Sequence, residues 1–210
     1  GVGSNLLVRD SGYNGLIIKL GKNFNNINIK KNILSVGAGV LDINLAKFAA
    51  KNSIKDFEFF IGIPGTIGGA VKMNAGCYGS QTSDNLKRVL ILNSKGKIQY
   101  VNIGDLKLDY RSSKIEHKSI ILKADFKFNY SSSEEIFKKN NQIKLKREKS
   151  QPIKEKTSGS TFKNPKGEFA AALIEKAGCK GMQNGAASVS TIHSNFIINN
   201  GEATALEIET

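Results

Sequence analysis

The chain has 210 residues, enough for one or two domains with a buried core, and its 40% hydrophobic content is too high for a disordered polypeptide. No apolar run approaches the roughly 18 residues that span a membrane, so a membrane partner is not expected. The formal charge of +13 would suit a nucleic-acid binder, but only Arg9, Arg88, Arg111 and Arg147 among the 31 basic residues are arginine; the lysines are scattered, and no helix-turn-helix, aromatic stripe or Cys/His finger accompanies them, so nucleic acid is not an expected partner either.

In chain order, residues 6–8, 15–20, 26–30 and 33–36 read as short strands separated by Gly, Asn and Asp. Residues 42–52 read as a helix that Asp42 can cap, with Leu45, Phe48 and Ala49 on one face. A short bridge at residues 56–60 enters a glycine-rich stretch from Gly62 to Gly79. Residues 88–92, 97–102 and 119–128 are strand-like. Ser131 and Glu134 fit a capping box for a helix running to about Lys149, with Ile136, Phe137, Ile143 and Leu145 as its apolar face. Pro152 ends that helix and marks a linker. Beyond it, residues 168–177 form a short helix closed by Gly178, Val189 and residues 196–199 are strand-like, and residues 202–210 look like the first turns of another helix. The mixture predicts an α+β fold. Cys77 and Cys179 stand far apart in no metal-type spacing, which predicts thiols in a reducing compartment and no metal site. The first ten residues read as strand and turn rather than signal peptide, so a cytoplasmic protein is expected.

The strongest chemical signal is the stretch from Gly62 to Gly79, in which six of eighteen residues are glycine. Pro64, Gly65, Thr66, Gly68 and Gly69 can bring bare backbone N–H groups and a hydroxyl to a diphosphate, and Asn74 and Gly76 continue the motif. The same residues can also make an elaborate turn packed on a helix. The pattern is neither the dinucleotide fingerprint nor a P-loop, since no strand-GxGxxG-helix spacing and no Gly-Lys-Ser/Thr is present. Gly3, Ser4 and Asn5 lie in a turn ahead of a strand, and Gly37 and Gly39 lead into the Asp42 helix. Each of these is either a plain turn or a cofactor contact. Tyr110 and Arg111 follow a strand, where Arg111 is either a surface residue or a fork for a carboxylate or phosphate. Ser160, Lys163 and Asn164 gather a hydroxyl, a cation and an amide on one loop, or simply form a turn. No Gly-x-Ser-x-Gly is present and neither His117 nor His193 stands in a triad motif, which argues against a serine hydrolase.

Taken in order, Gly3-Ser-Asn-Leu-Leu, Gly37-Ala-Gly39, Ile63-Pro-Gly-Thr-Ile-Gly-Gly-Ala70, Asn74-Ala-Gly76, Tyr78-Gly79, Tyr110-Arg111, Gly159-Ser160, Phe162-Lys-Asn-Pro165 and Lys180-Gly-Met-Gln183 resemble the UDP-N-acetylenolpyruvoylglucosamine reductase family of flavoenzymes. The resemblance runs over nearly the whole chain and matches the subtype lacking an extra tyrosine-bearing substrate loop. It implies FAD held noncovalently in a domain of the vanillyl-alcohol-oxidase type, residues 1–150, and a C-terminal α+β substrate domain from residue 151. Gly3, Ser4, Asn5, Gly37, Gly39, Pro64, Gly65, Thr66, Gly68, Gly69, Asn74 and Gly76 would contact the cofactor. In such enzymes NADPH reduces FAD, and hydride passes to C3 of the enolpyruvyl group of a nucleotide-sugar, giving UDP-N-acetylmuramate for peptidoglycan. Arg111 matches the family's active-site arginine, Ser160 its proton-donor serine, and Tyr110 and Asn164 its substrate contacts. A monomer is expected.

Two departures stand out. The family's first FAD-binding strand-helix-strand has no counterpart before Gly1, and its active-site glutamate is not matched by Glu202, Glu207 or Glu209. On that reading the 210 residues are an internal portion of a reductase, truncated at both ends and inactive or weakly active alone. Two rivals remain at this point. One is an oxidase of the same fold, in which flavin could attach through Cys77; the other is a binding module driven by the positive charge.

Overall fold

The first sheet begins at a tight hairpin. In the computed structural model, which describes residues 1–210, β1 (Ile27–Lys30) and β2 (Ile33–Gly37) pair antiparallel, with Lys30 opposite Ile33. Lys31 takes the left-handed φ of 53° that so short a loop requires. Helix α1 (Asp42–Lys51) follows, and Leu45, Ala46, Ala49 and Ala50 form its buried stripe at helical spacing. Asp42 does not cap this helix as the sequence suggested. Leu41 occupies the N-cap position without a side-chain hydrogen bond, and Asp42 is the first helical residue, 1% exposed.

A 3₁₀ turn at Glu58–Gly62 leads into α2 (Ile67–Lys72), which begins after Thr66. A two-residue hairpin, β3 (Gly76–Cys77) with β4 (Ser80–Gln81), closes the glycine-rich stretch. Next come β5 (Leu86–Leu92), β6 (Ile98–Asn102), the single turn α3 (Ile103–Leu106) and β7 (Ile120–Lys127). The five longer strands form one antiparallel sheet in the order β1-β2-β7-β5-β6. On its covered face Phe126 of β7 lies opposite Leu34 and Leu86. Phe57 meets Phe126 edge-on at 5.6 Å, and Phe60 joins them, all three nearly inaccessible. Each such side chain contributes about 1.5–3 kcal/mol through burial.

Helix α4 (Ser133–Ser150) starts later than the expected capping box. Ser131 donates instead to Glu135 at 3.0 Å. The buried stripe is Ile136, Asn140 and Ile143, whereas Phe137 and Leu145 are 48% and 56% exposed. Positions 136, 140 and 143 lie on one helical face, while 137 and 145 are turned well away from it.

By its contacts the chain divides into two units. The first holds Gly1–Val2 and Ile18–Leu145, including the five-stranded sheet. The second holds Gly3–Ile17 and Lys146–Thr210. In this second unit β8 (Lys156–Ser160), α5 (Ala170–Lys176), β9 (Gln183–Asn184), β10 (Ala187–Val189), β11 (Phe196–Asn199) and α6 (Ala205–Glu209) follow in turn. The strands form an antiparallel sheet in the order β8-β11-β10-β9. Gly178 closes α5 with φ 74°, as expected of a residue just past a helix end. Asp10 joins the N-terminal segment to α6, accepting from the N–H groups of Ala205 at 2.7 Å and Leu206 at 3.1 Å. Helices together with antiparallel sheets make the fold α+β, as predicted.

Residues 6–8 and 15–20 do not form the strands expected of them. Leu6, Val8, Leu16 and Ile17 are all more than half exposed, and none of the three sheets offers these residues a neighbouring strand. Strand propensity is expressed only where a pleated partner surface exists.

Candidate functional site

The glycine-rich stretch is bound tightly to the turn at Gly37 and Gly39. The N–H groups of Ile67 and Gly68 donate to the carbonyls of Val40 and Ala38, each at 2.9 Å, and Asp42 N–H donates to Gly65 O at 3.1 Å. Leu41 and Thr66 form an isolated antiparallel bridge. Two of the N–H groups that an anion nest would use are therefore spent inside the protein, which narrows the expected nest. Open backbone lies elsewhere on the same turn. A Cβ on Gly69 would meet only the Thr66 hydroxyl, at 3.9 Å. Gly69 and Pro64 are exposed, Gly65 and Gly68 half-buried, and Thr66 buried.

Other glycines of the expected cofactor set answer first to packing. A Cβ on Gly37 would stand 2.1 Å from the Phe24 carbonyl oxygen, one on Gly39 2.3 Å from Asn25 Oδ1, and one on Gly76 2.5 Å from the Ser80 carbonyl oxygen. Gly68 faces Ala38 Cβ at 3.1 Å. A bare, accessible backbone at Gly69 above a turn this closely packed fits approach by a phosphate-bearing cofactor such as FAD.

Asn74 and Arg111 tie this stretch to the segment after α3. Asn74 is 1% exposed, with φ 41°. Its Nδ2 donates to Gln81 Oε1 at 3.1 Å and to Asp109 O at 3.2 Å, and its Oδ1 accepts from Ser83 N–H at 3.0 Å. Its side chain is thus a strut of the loop. Arg111, itself at φ 51°, donates through Nη1 to Asn74 O at 3.3 Å and through Nη2 to Gly76 O. Its guanidinium carbon lies 5.0 Å from the centre of the Tyr110 ring, which is 44% exposed. A left-handed backbone at a non-glycine residue and a fork fixed on two carbonyls hold one positive charge in one place. Pro64, Gly65, Thr66, Gly68, Gly69, Gly37, Gly39, Asn74, Gly76, Tyr110 and Arg111 all fall in the first unit.

Ser160, Asn164, Gly3, Ser4 and Asn5 fall in the second. Ser160 is exposed at the end of β8, opposite Phe196, directly after Gly159 at φ 87°. The residues around it were read as a loop; pairing with β11 makes them a strand edge. Asn164 Oδ1 accepts from Ala170 N–H at 3.0 Å, at the start of α5. Gly3 has φ 78° and open space where a Cβ would stand, with Ser4 half-buried and Asn5 exposed in the same turn.

Sequence reading passed over Asp109 and Asn195, and considered His193 only as a triad member. Asn195 is 3% exposed and bonds the backbone just past Ser160. Burial pushes the His193 imidazole below its usual range, in keeping with its Nδ1 accepting from Asn195 N–H at 3.3 Å. The signal available was a Ser190-x-x-His193-Ser-Asn195 run ending directly at a predicted strand. No disulfide joins Cys77 and Cys179, and no helix is long and apolar enough to cross a membrane.

Residues 1–102 match the FAD-binding-domain family, and residues 151–210 match the C-terminal domain of UDP-N-acetylenolpyruvoylglucosamine reductase. With the open glycine turn and the fixed arginine, these matches define a flavoprotein oxidoreductase that uses FAD. The UDP-N-acetylenolpyruvoylglucosamine reductases of Rickettsia conorii and Rickettsia typhi are 48% and 49% identical to the chain over 209 residues, 100% of this chain and 71% of each relative. The crystal structure of the corresponding reductase from Thermus caldophilus superposes with a TM-score of 0.91 at 36% identity, covering 99% of this chain and 76% of that one. The chain belongs to the UDP-N-acetylenolpyruvoylglucosamine reductase family.

Proposed function

We propose that Ser160 and Arg111 serve, in this chain, the NADPH-dependent reduction of UDP-N-acetylglucosamine enolpyruvate to UDP-N-acetylmuramate, a step of peptidoglycan precursor synthesis. Bound FAD would supply the redox chemistry, hydride transfer from NADPH to C3 of the enolpyruvyl group. Gly69 would meet the cofactor through its open backbone, with Gly65, Thr66 and Gly68 setting the close-packed turn around it and Pro64 fixing its entry; Gly37, Gly39, Asn74 and Gly76 complete the cofactor surface. Gly3, Ser4 and Asn5 add a second backbone contact.

Hydride addition leaves negative charge spread from C2 of the substrate onto its carboxylate. Arg111 stabilises that charge as it forms, because its guanidinium is already fixed and need not reorganise. Ser160 gives its hydroxyl proton to C2. A serine hydroxyl is a weak acid near neutral pH, and only a strongly basic, enolate-like carbon accepts from it at a useful rate. Tyr110 and Asn164 contact the nucleotide-sugar. The boundary between the FAD-binding part and the substrate part falls at Gln151, and the enzyme works as a cytoplasmic monomer.

The observation that carries this reading is the locking of the Arg111 fork onto the carbonyls of Asn74 and Gly76, which joins the candidate active-site cation to the candidate cofactor loop. Ser160→Ala tests it. Reduction of the bound flavin by NADPH stays near the native rate, while reoxidation by substrate slows about 100-fold or more, the usual worth of a general acid. Equal losses in both half-reactions would make Ser160 structural.

A further inference from the structure

The hydroxyl of Ser160 sits where backbone pairing gives out. Ser160 is the last residue of β8 and lies opposite Phe196 of β11, and the register between these strands shifts between Phe196 and Ile198. Gly159, immediately before it, is at φ 87°, a conformation that few other residues would tolerate. Beyond Ser160 the chain leaves the sheet toward exposed Phe162. A strand end beside a glycine is a poor place to hold a proton donor still.

Asn195 takes over at that point. Its backbone carbonyl accepts from Thr161 N–H at 2.8 Å. Its side chain then acts as a substitute strand: Oδ1 accepts from Phe162 N–H at 2.9 Å, and Nδ2 donates to Phe162 O at 2.8 Å. A primary amide is the one side chain that presents a donor and an acceptor side by side, as a peptide group does. Aspartate lacks the donor, and glutamine is one methylene longer. Asn195 is itself held: it is 3% exposed, and the turn carrying it is closed by Ser190, whose Oγ accepts from the N–H groups of Ile192 at 3.1 Å and His193 at 3.2 Å. Ser190 N–H donates to Phe196 O at 2.8 Å, and Phe196 N–H to His193 O at 3.0 Å. Asn164, bonded to Ala170 N–H, anchors the same loop further on.

We infer that Asn195 is a positioning residue for Ser160, clamping the two residues after it so that its hydroxyl is presented from a fixed strand end. This rests on the reading of Ser160 as proton donor. Removing the clamp leaves the Phe162 N–H and C=O to water, since Phe162 is 58% exposed, so the fold survives while the hydroxyl gains freedom. A displacement of about 1 Å at a reacting group costs up to about 100-fold in rate.

The test uses FAD-loaded holoenzyme carrying Asn195→Ala, with Asn195→Ser as the milder substitution should the first not fold, beside Ser160→Ala. For the Asn195 variants, flavin reduction by NADPH is expected within about twofold of native and reoxidation by UDP-N-acetylglucosamine enolpyruvate about 10- to 100-fold slower. The solvent deuterium isotope effect on reoxidation rises, because proton delivery limits the step. Amide hydrogen exchange at Phe162 speeds up while exchange across β10 and β11 is unchanged. Native reoxidation in the Asn195 variants, with Ser160→Ala slowed, overturns the inference alone. Equal slowing of both half-reactions in those variants also overturns it, by making Asn195 merely structural. Native reoxidation in Ser160→Ala overturns the proton-donor reading, and the inference with it.

Discussion

Asp42 offers the sharpest test of the structure itself. Both its carboxyl oxygens are buried without a hydrogen-bond partner, at 1% exposure. Burial pushes its pKa up from the ordinary 3.8 to about 8. The helix start at Asp42 favours an anion there, but burial outweighs it. The folded state therefore holds Asp42 protonated at neutral pH, while the unfolded chain ionises near 3.8. Stability from this group is undiminished below the unfolded value and falls as pH rises toward about 8, where it levels off. Each pH unit in that window is worth ~1.4 kcal/mol, so the penalty reaches ~4 kcal/mol at pH 7 and ~6 kcal/mol above pH 8. Asp42→Asn keeps the shape and removes the titration. Urea unfolding followed by circular dichroism, at pH 4 to 9, should show the variant gaining on the native protein by ~1.4 kcal/mol per unit from pH 4 to 8 and by a constant amount above. A gain independent of pH, or a loss at pH 8, would refute the reasoning.

Two further substitutions probe the site. Arg111→Lys cannot keep both bonds to Asn74 O and Gly76 O; stopped-flow traces are expected to show near-native reduction by NADPH and reoxidation by substrate slowed about 100-fold, the scale of a lost charge-stabilising donor. Unchanged reoxidation would remove Arg111 from the site. Gly76→Ala drives a methyl toward the Ser80 carbonyl oxygen, and should cost about 1–3 kcal/mol in denaturant unfolding and weaken flavin retention; an unchanged unfolding midpoint would show that the β3–β4 hairpin gives way freely.

The family and the fold class were legible in the sequence; several local elements were not. Glycines, Arg111, Ser160 and Asn164 stand out because each residue type has few uses, and their order along the chain carried the family resemblance. What the sequence could not show was which glycines face inward. Gly37, Gly39 and Gly76 read as cofactor contacts in the sequence, and the positions of Phe24, Asn25 and Ser80 add a packing reason for each glycine, since a Cβ there has no room. Strand β8 was hidden for a related reason: the residues around Ser160 read as a loop or turn, and β11, nearly forty residues on, is what orders them. Helix α1 was visible because its stripe repeats locally at 3.6 residues. Asp42 looked like a cap because capping residues are short and polar, yet the backbone turn placed it one position too late to serve.

The central claim is that this chain's bound FAD passes hydride from NADPH to an enolpyruvyl nucleotide-sugar. It is tested most directly by the visible spectrum of the purified, FAD-loaded full-length protein under anaerobic conditions, first with NADPH and then with UDP-N-acetylglucosamine enolpyruvate. The account predicts flavin bands that bleach with NADPH and return in full with the second addition, together with formation of UDP-N-acetylmuramate. Bands that bleach and stay bleached after that substrate, or a protein that retains no FAD at all, would contradict it.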